Sequence, residues 1–395
     1  METQVLIIGG GITGVGLARD LALRGVQSVL VERRDINAGA SGANHGLLHS
    51  GARYVRSDPA AAAECREESA LLKRLAPHCI EDTGGLFVAV EGDDEAYAAE
   101  FPVFCARSGI ACKPISAAEA RELEPVLSER LIAAYQVEDA SVDPFHLSLD
   151  NMSEALELGS RVMLHTRVVG FDRENGRIRR TRVVDDETGE ETAIEAEQVV
   201  NAAGAWAKGV AGLAGVEVDM FYSKGSLLIT DQRLTRRVIN RLRPASDADI
   251  LVPGGTVSIL GTTSIRMDTL DRIAPTVEES DSIIHAAAAM VPALEATRYI
   301  RAYAGVRPLV AGKVPGGDRS VSRGFALLDH AADGVLNFVS IIGGKLTTYR
   351  LMAEKTADLI CRRLGVSRPC LTSEKALKAF PANQWTAAGL SPRLW

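Results

Sequence analysis

The sequence predicts an α/β fold with α+β insertions, on three observations. An apolar run at residues 5–8 leads straight into a glycine-rich turn and an amphipathic helix. Short strand-like stretches separated by turn residues fill the middle of the chain, and a buried-strand pattern followed by a long helix returns near its end. At 395 residues the chain exceeds what one hydrophobic core ordinarily serves, so a second domain or a large insertion is expected.

The opening unit reads strand, turn, helix, strand: residues 5–8, the glycine turn 9–14, a helix over 15–24 closed by Gly25, and a second strand over 29–32. A polar, glycine-rich stretch follows at 37–51. Asp58-Pro59 then opens a helix to about residue 75, because proline fits the first helical turn. Ser116 and Glu119 have capping-box spacing, and Asp143-Pro144 opens a further helix to about residue 158. Between residues 168 and 195, turn signals at 174–176 and 186–189 divide β-rich stretches into an antiparallel meander.

Residues 199–206 read as a short buried strand ending in small residues, which allow close approach of a ligand. Strands are expected at 249–252 and 257–261, and a helix at 277–290. The last unit is a strand at 336–342, a turn at Gly343-Gly344, and one helix from 345 to 364 that Gly365 stops. Beyond Pro369 the pattern is weak, and a loosely held tail is expected.

Composition narrows the classes. Hydrophobic residues at 46% and charged residues at 24% describe a folded globular chain. A net charge of −7 argues against nucleic acid as the main partner, since phosphate backbones demand a positive surface. The six cysteines form no C-x-x-C pair, so no metal centre is expected. The N-terminus lacks a basic segment with a cleavage site, and no apolar run approaches the ~20 residues of a membrane span. A cytoplasmic protein is expected, peripheral at the inner face of the cytoplasmic membrane if partners hold it there.

Gly9-Gly10-Gly11-Ile12-Thr13-Gly14 satisfies G-x-G-x-x-G between a strand and a helix, and Glu32 closes the second strand where a carboxylate accepts ribose hydroxyls. A pyrophosphate rests well on the free N–H groups of such a helix start. This turn does not separate FAD from NAD. No second turn of the kind occurs, so a flavin in the first site leaves no separate pyridine-nucleotide domain.

Further blocks carry a resemblance. Residues 41–54 (SGANHGLLHSGARY), 224–229 (KGSLLI), 246–253 (SDADILVP), 261–264 (GTTS), 303–309 (YAGVRPL) and 343–350 (GGKLTTYR) stand in order along the chain. The chain thereby resembles the D-amino-acid-oxidase-like (DAO) flavoproteins and, within them, the family of large catalytic subunits of anaerobic glycerol-3-phosphate dehydrogenases. The resemblance runs from about residue 5 to about residue 370.

It implies a two-dinucleotide-binding, Rossmann-like FAD/NAD(P)-binding fold with a β-rich substrate-binding domain. Residues 1–85, 140–215 and 325–366 would bind FAD, 86–139 and 216–324 the substrate, with 367–395 as a C-terminal tail. Cofactor contacts are expected from Gly9, Gly11, Ile12, Thr13, Gly14, Glu32 and Arg33, from Ser41, Asn44, His45, Gly46 and Leu48, and from Val168, Ala203, Gly204 and Trp206. Gly344, Lys345, Leu346 and Thr347 complete the set, because an uncapped helix start there offers N–H donors to the negative charge of reduced flavin.

Glycerol 3-phosphate is the implied substrate, and arginine forks suit its phosphate. By resemblance Arg53 and Arg307 hold the phosphate, Arg323 is a third active-site arginine, and Lys345 and Tyr54 contact the glycerol hydroxyls or the reacting carbon. His49, Arg307 and Lys345 are the candidate catalytic residues. The base stays open: the aerobic relatives carry histidine after Lys-Gly-Ser where this chain has Leu227, and His45 and His49 are the candidates because an imidazole ordinarily titrates near neutrality.

The longer members of that family continue into a cysteine-rich C-terminal domain that these residues do not include. Electrons are therefore expected to leave through partner subunits linked to membrane quinone or directly from the flavin. A 2-hydroxyglutarate-like dehydrogenase, an amino-acid oxidase and a non-catalytic flavin scaffold are the alternatives.

Overall fold

The computed structural model describes residues 1–310 and 324–390. Its first sheet has eight strands. Glu2–Ile8 lies in the middle, parallel to Ser28–Val31 on one side and to Glu191–Asn201 on the other. Arg161–Met163 extends the sheet beyond Ser28–Val31; Phe338–Gly343 pairs in parallel with Glu191–Asn201, and Phe325–Asp329 lies antiparallel outside it. Val5, Leu6 and Ile7 are wholly buried, as a parallel strand covered on both faces requires.

The strand Glu191–Asn201 is long enough to serve two partners. Its N-terminal part leaves the parallel sheet and joins Arg177–Asp185 and Thr166–Glu174 in the expected meander. Asn175 and Gly176 turn the first hairpin with φ of 49° and 72°, conformations that Asn and Gly adopt at low cost.

The first helix, Ile12–Leu23, begins earlier than expected because Gly11 already serves as its N-cap. It packs between helices Pro144–Glu157 and Tyr349–Leu364. A Cβ on Gly16 would stand 2.7 Å from the Tyr349 ring, so glycine permits this closeness. Asp58, Ser116 and Asp143 cap their helices through side-chain oxygens, as their spacing predicts.

The second sheet has nine strands and forms a floor under the cavity described below. Met220–Thr230 pairs antiparallel along its length with Tyr299–Val310, setting Arg307 opposite Ser223 and Gly305 opposite Gly225. Val257–Gly261, Ile250–Gly254, Val238–Arg241, Gly85–Val90, Leu131–Val137 and Lys113–Ile115 continue from Met220–Thr230 toward the far edge. Helix Val277–Ala288 covers this sheet through Ile283 and Ala287, which pack with Leu86, Leu251 and Leu260.

Two expectations change. The single helix expected from residue 345 is instead a short 3-10 turn, Leu346–Thr348, followed by the α-helix Tyr349–Leu364. Gly343 and Gly344 both have φ of 78° and Lys345 is extended, so the chain has not reached helical geometry at residue 345. The tail is not loosely held over its described part. Leu377, Phe380, Trp385 and Leu390 are buried in the core beside the first helix, and Thr372 donates to Asp20 at 3.0 Å. Its apolar residues are too widely spaced to show a period, yet each finds a site on an existing surface.

Candidate active site

A cavity of about 1120 Å³ runs from the first glycine turn to the strand carrying Arg307. Pockets for small molecules commonly span ~300–1,000 Å³, so this one has room for a large cofactor and a substrate together. Its walls include the first turn with the loop after the second strand, the end of Glu191–Asn201 with the following turn, residues 343–347, and second-sheet residues such as Gly225, Gly305 and Arg307 with neighbouring Thr262.

At the first turn the chain is as close as glycine permits. A Cβ on Gly9, whose φ is 116°, would lie 2.6 Å from the Ala202 carbonyl oxygen, and one on Gly14 would lie 2.0 Å from the Gly9 oxygen. Ser41 reaches across so that its hydroxyl accepts from the Ile12 N–H at 3.0 Å. Glu32 accepts from the N–H groups of Gly10 (2.7 Å) and Arg34 (2.8 Å), which fixes its carboxylate at the cavity wall. The Arg34 guanidinium lies 5.7 Å from the centre of the Trp206 ring, and Arg33 pairs with Asp186 at 3.4 Å.

The loop before Tyr54 folds on itself. Asn44 accepts from Gly46 N–H at 2.7 Å and donates to the Ser41 carbonyl at 2.6 Å, while Tyr303 of the second sheet donates to the Asn44 carbonyl at 2.6 Å. Leu47 N–H donates to His45 Nδ1 at 3.3 Å, so the neutral ring carries its proton on Nε2. Burial drives the His45 pKa down to about 3, and Arg307 and Arg53 add to the shift. His45 is therefore a neutral hydrogen-bonding group at physiological pH.

His49 lies deeper. Its backbone N–H donates to the Thr347 hydroxyl at 3.2 Å and its Nε2 stands 3.5 Å from the Tyr54 hydroxyl, tying the loop to the 343–347 segment. The Lys345 ammonium lies 5.0 Å from the centre of the Tyr54 ring. Gly344 N–H is taken by the Gly324 carbonyl and Lys345 N–H by the Thr348 hydroxyl, whereas Leu346 and Thr347 have no backbone N–H partner among the described residues.

Two arginines face this end. Arg307 donates to the Thr263 carbonyl at 3.2 Å and to the Thr262 hydroxyl. Gly225 makes room for it, since a Cβ there would meet the guanidinium at 2.4 Å. Arg53 donates to Asp249 Oδ2 at 3.1 Å, and Asp249 Oδ1 holds Arg243 at 2.9 Å. Arg53 thus belongs to an ion triad around the buried Asp249 as well as to the cavity wall.

The cavity is lined by Gly9, Gly11, Ile12, Thr13, Glu32, Arg33, Ser41, Asn44, His45, Val168, Ala203, Gly204 and Trp206 from the expected cofactor set, and by Gly344, Lys345, Leu346 and Thr347. His49, Arg53, Tyr54 and Arg307 line its other end. Three expected contacts stand behind the wall instead. Gly14 packs the helix onto the turn, Leu48 is buried in the core, and Gly46 turns the loop against Val142 with φ of 66°. Arg323 lies outside the described residues. Arg34, Thr262 and Gly305 were not anticipated as site residues, although Thr262 and Gly305 fall in the conspicuous blocks GTTS and YAGVRPL.

The donor set fits FAD: a glycine cradle with no room for side chains, a fixed carboxylate for a ribose, and open amides beside cations at the far end. Comparison with known proteins agrees. Residues 4–359 match the family model described as FAD dependent oxidoreductase (DAO). The chain is 49% identical over 379 residues to the A-type subunit of the anaerobic glycerol-3-phosphate dehydrogenase of Escherichia coli K12, covering 95% of this chain and 70% of that one. Its identity to the protein of the same name from Haemophilus influenzae is 45%, over 95% of this chain and 68% of the other. Among solved structures, the glycerol-3-phosphate dehydrogenase from Bacillus halodurans complexed with FAD superposes with a TM-score of 0.72 at 27% identity, covering 95% of this chain and 68% of that one.

Proposed function

The chain belongs to the family of FAD-dependent oxidoreductases and groups with the A-type subunits of anaerobic glycerol-3-phosphate dehydrogenase, and from that premise we propose that it oxidises sn-glycerol 3-phosphate to dihydroxyacetone phosphate. One observation carries the substrate: Arg53, Arg307 and Lys345 line the end of the cavity remote from the dinucleotide cradle. A doubly charged phosphomonoester suits that cationic end, and an arginine fork grips two of its oxygens. In this reading residues 1–85, 140–215 and 325–366 hold FAD, and 86–139 and 216–324 hold the substrate.

When bound, FAD supplies the acceptor for the hydride leaving C2 of the substrate. The protein's residues do the rest. Thr262 and Thr263 hold the Arg307 guanidinium in place before substrate arrives, so little entropy is lost on binding. Lys345 steadies the glycerol hydroxyls and, with the N–H groups of Leu346 and Thr347, offers positive potential where negative charge develops. His49, which faces Tyr54, takes the C2 hydroxyl proton. His45 has its Nδ1 engaged by Leu47 and is held neutral by burial, with the charges of Arg307 and Arg53 adding to the shift, so it serves as a hydrogen-bond donor and His49 is the better base.

Electrons then pass to a partner protein or to quinone; the relatives' designation as subunits supports the former. No helix among the described residues is long and apolar enough to cross a membrane. Mixing the oxidised protein anaerobically with a substrate panel tests the reading. Glycerol 3-phosphate is expected to bleach the flavin band while 2-hydroxyglutarate and sarcosine leave it; bleaching by only one of the latter would overturn the substrate assignment.

A further inference from the structure

A second cavity, about 550 Å³, lies on the other side of the loop that carries Asn44 and His45. Two of its lining residues, His78 and Cys79, end the short 3-10 turn Pro77–Cys79 that follows helix Pro59–Leu75. Asp150, from the middle of helix Pro144–Glu157, meets them there. The imidazole nitrogen, the thiol sulfur and a carboxylate oxygen all lie within 4.8 Å of one another. Among the described residues this is the one cluster of three such groups.

The arrangement around Asp150 is that of an oriented ligand. Its Oδ1 accepts from the Trp385 indole N–H at 3.0 Å and from Phe380 N–H at 3.2 Å, which leaves Oδ2 directed at His78 Nε2, 2.9 Å away. Outer hydrogen bonds of this kind aim metal-binding carboxylates. The set contains one soft, one borderline and one hard donor, a mixture that zinc accepts in tetrahedral geometry.

We infer that His78, Cys79 and Asp150 bind one divalent transition-metal ion of the zinc class, with the fourth position open to the second cavity. Metal–ligand bonds of about 2.0–2.3 Å set tetrahedral ligands roughly 3.5 Å apart, so the His78–Asp150 pair parts slightly and Cys79 moves inward. Charge balances, because the Cys79 thiolate and the Asp150 carboxylate neutralise a dication while the thiol proton passes to solvent. The bound ion would join the turn Pro77–Cys79 to helix Pro144–Glu157, against which the tail docks through Asp150.

Cobalt(II) gives a direct test on the chelator-treated, flavin-loaded protein. One equivalent is expected to produce tetrahedral d–d bands to the red of the flavin absorption, discharged by one equivalent of zinc. Equilibrium dialysis is expected to return one zinc per chain, with affinity falling at least tenfold in His78→Ala and Cys79→Ser. His78 sits on a surface turn, so H78A tests the site even if C79S folds poorly, and retained yellow colour reports folding in each variant. Absence of tetrahedral bands in the wild-type protein, or undiminished zinc binding by H78A, overturns the inference. Neither outcome touches the dehydrogenase reading, which flavin bleaching tests separately.

Discussion

A Cβ on Gly305 would stand 2.4 Å from the carbonyl oxygen of Ala43, so the second sheet and the loop over the cavity meet backbone to backbone. Tyr303, two residues earlier on the same strand, donates to Asn44 and fastens the contact. This seam is what lets one wall of the cavity come from each sheet. Gly305→Ala is expected to force the loop away, and the measured outcome is protein purified with well under half the wild-type FAD content.

Gly11 is the N-cap of the first helix, and a Cβ on it would sit 3.1 Å from the Ser41 hydroxyl. The isopropyl group of Gly11→Val would occupy the space a pyrophosphate needs. The variant is expected to purify colourless and to take up no FAD on dialysis; a yellow product would show that the pyrophosphate lies elsewhere.

Truncation of Arg307 removes a group whose supports, Thr262 and Thr263, remain in place. Arg307→Ala is expected to keep FAD and lose about 2–5 kcal/mol of substrate binding, a rise in apparent KM of roughly 30-fold or more. Steady-state kinetics with glycerol 3-phosphate decides it, and unchanged kinetics would place Arg307 outside the substrate pocket.

Asp249 is wholly buried and balances both Arg53 and Arg243. Asp249→Asn keeps the shape and removes the charge. Leaving two guanidiniums without their carboxylate is expected to cost roughly 3 kcal/mol of stability, read from urea denaturation, and to weaken substrate binding because Arg53 loses its anchor.

The acid limb of stability should carry the signature of His45. Its folded pKa of about 3 lies below the ordinary 6.5, so below pH 6.5 the unfolded chain binds a proton that the folded one refuses. Its contribution is fully present above pH 6.5 and is lost as pH falls toward 3. His45→Gln is expected to flatten that decline in denaturation midpoints measured between pH 7 and 4, and an unaltered slope would contradict a neutral, enclosed His45.

Much of this was legible in the chain because the signals are local. Ser116 and Glu119 cap a helix through a three-residue spacing, and Asn175-Gly176 turn a hairpin through their own torsional freedom. The blocks GTTS and YAGVRPL stood out as well, but nothing in them said that Thr262 would hold Arg307 or that Gly305 would touch Ala43. Those facts come from strand register, which pairs residues far apart in the chain. The same holds for His78, Cys79 and Asp150, whose spacing resembles no metal motif.

The sequence by itself determined the strand–glycine–helix opening, the helix caps, the meander and the place of the last turn, since each follows from the period, torsions or hydrogen-bonding reach of neighbouring residues. Tertiary structure alone decided that Arg53 shares a buried carboxylate with Arg243, that burial and the charges of Arg307 and Arg53 keep His45 neutral, and that the tail docks beside the first helix. The physical reason is that solvation and pairing energies depend on which surfaces come within a few ångströms, and only the packed fold sets those distances.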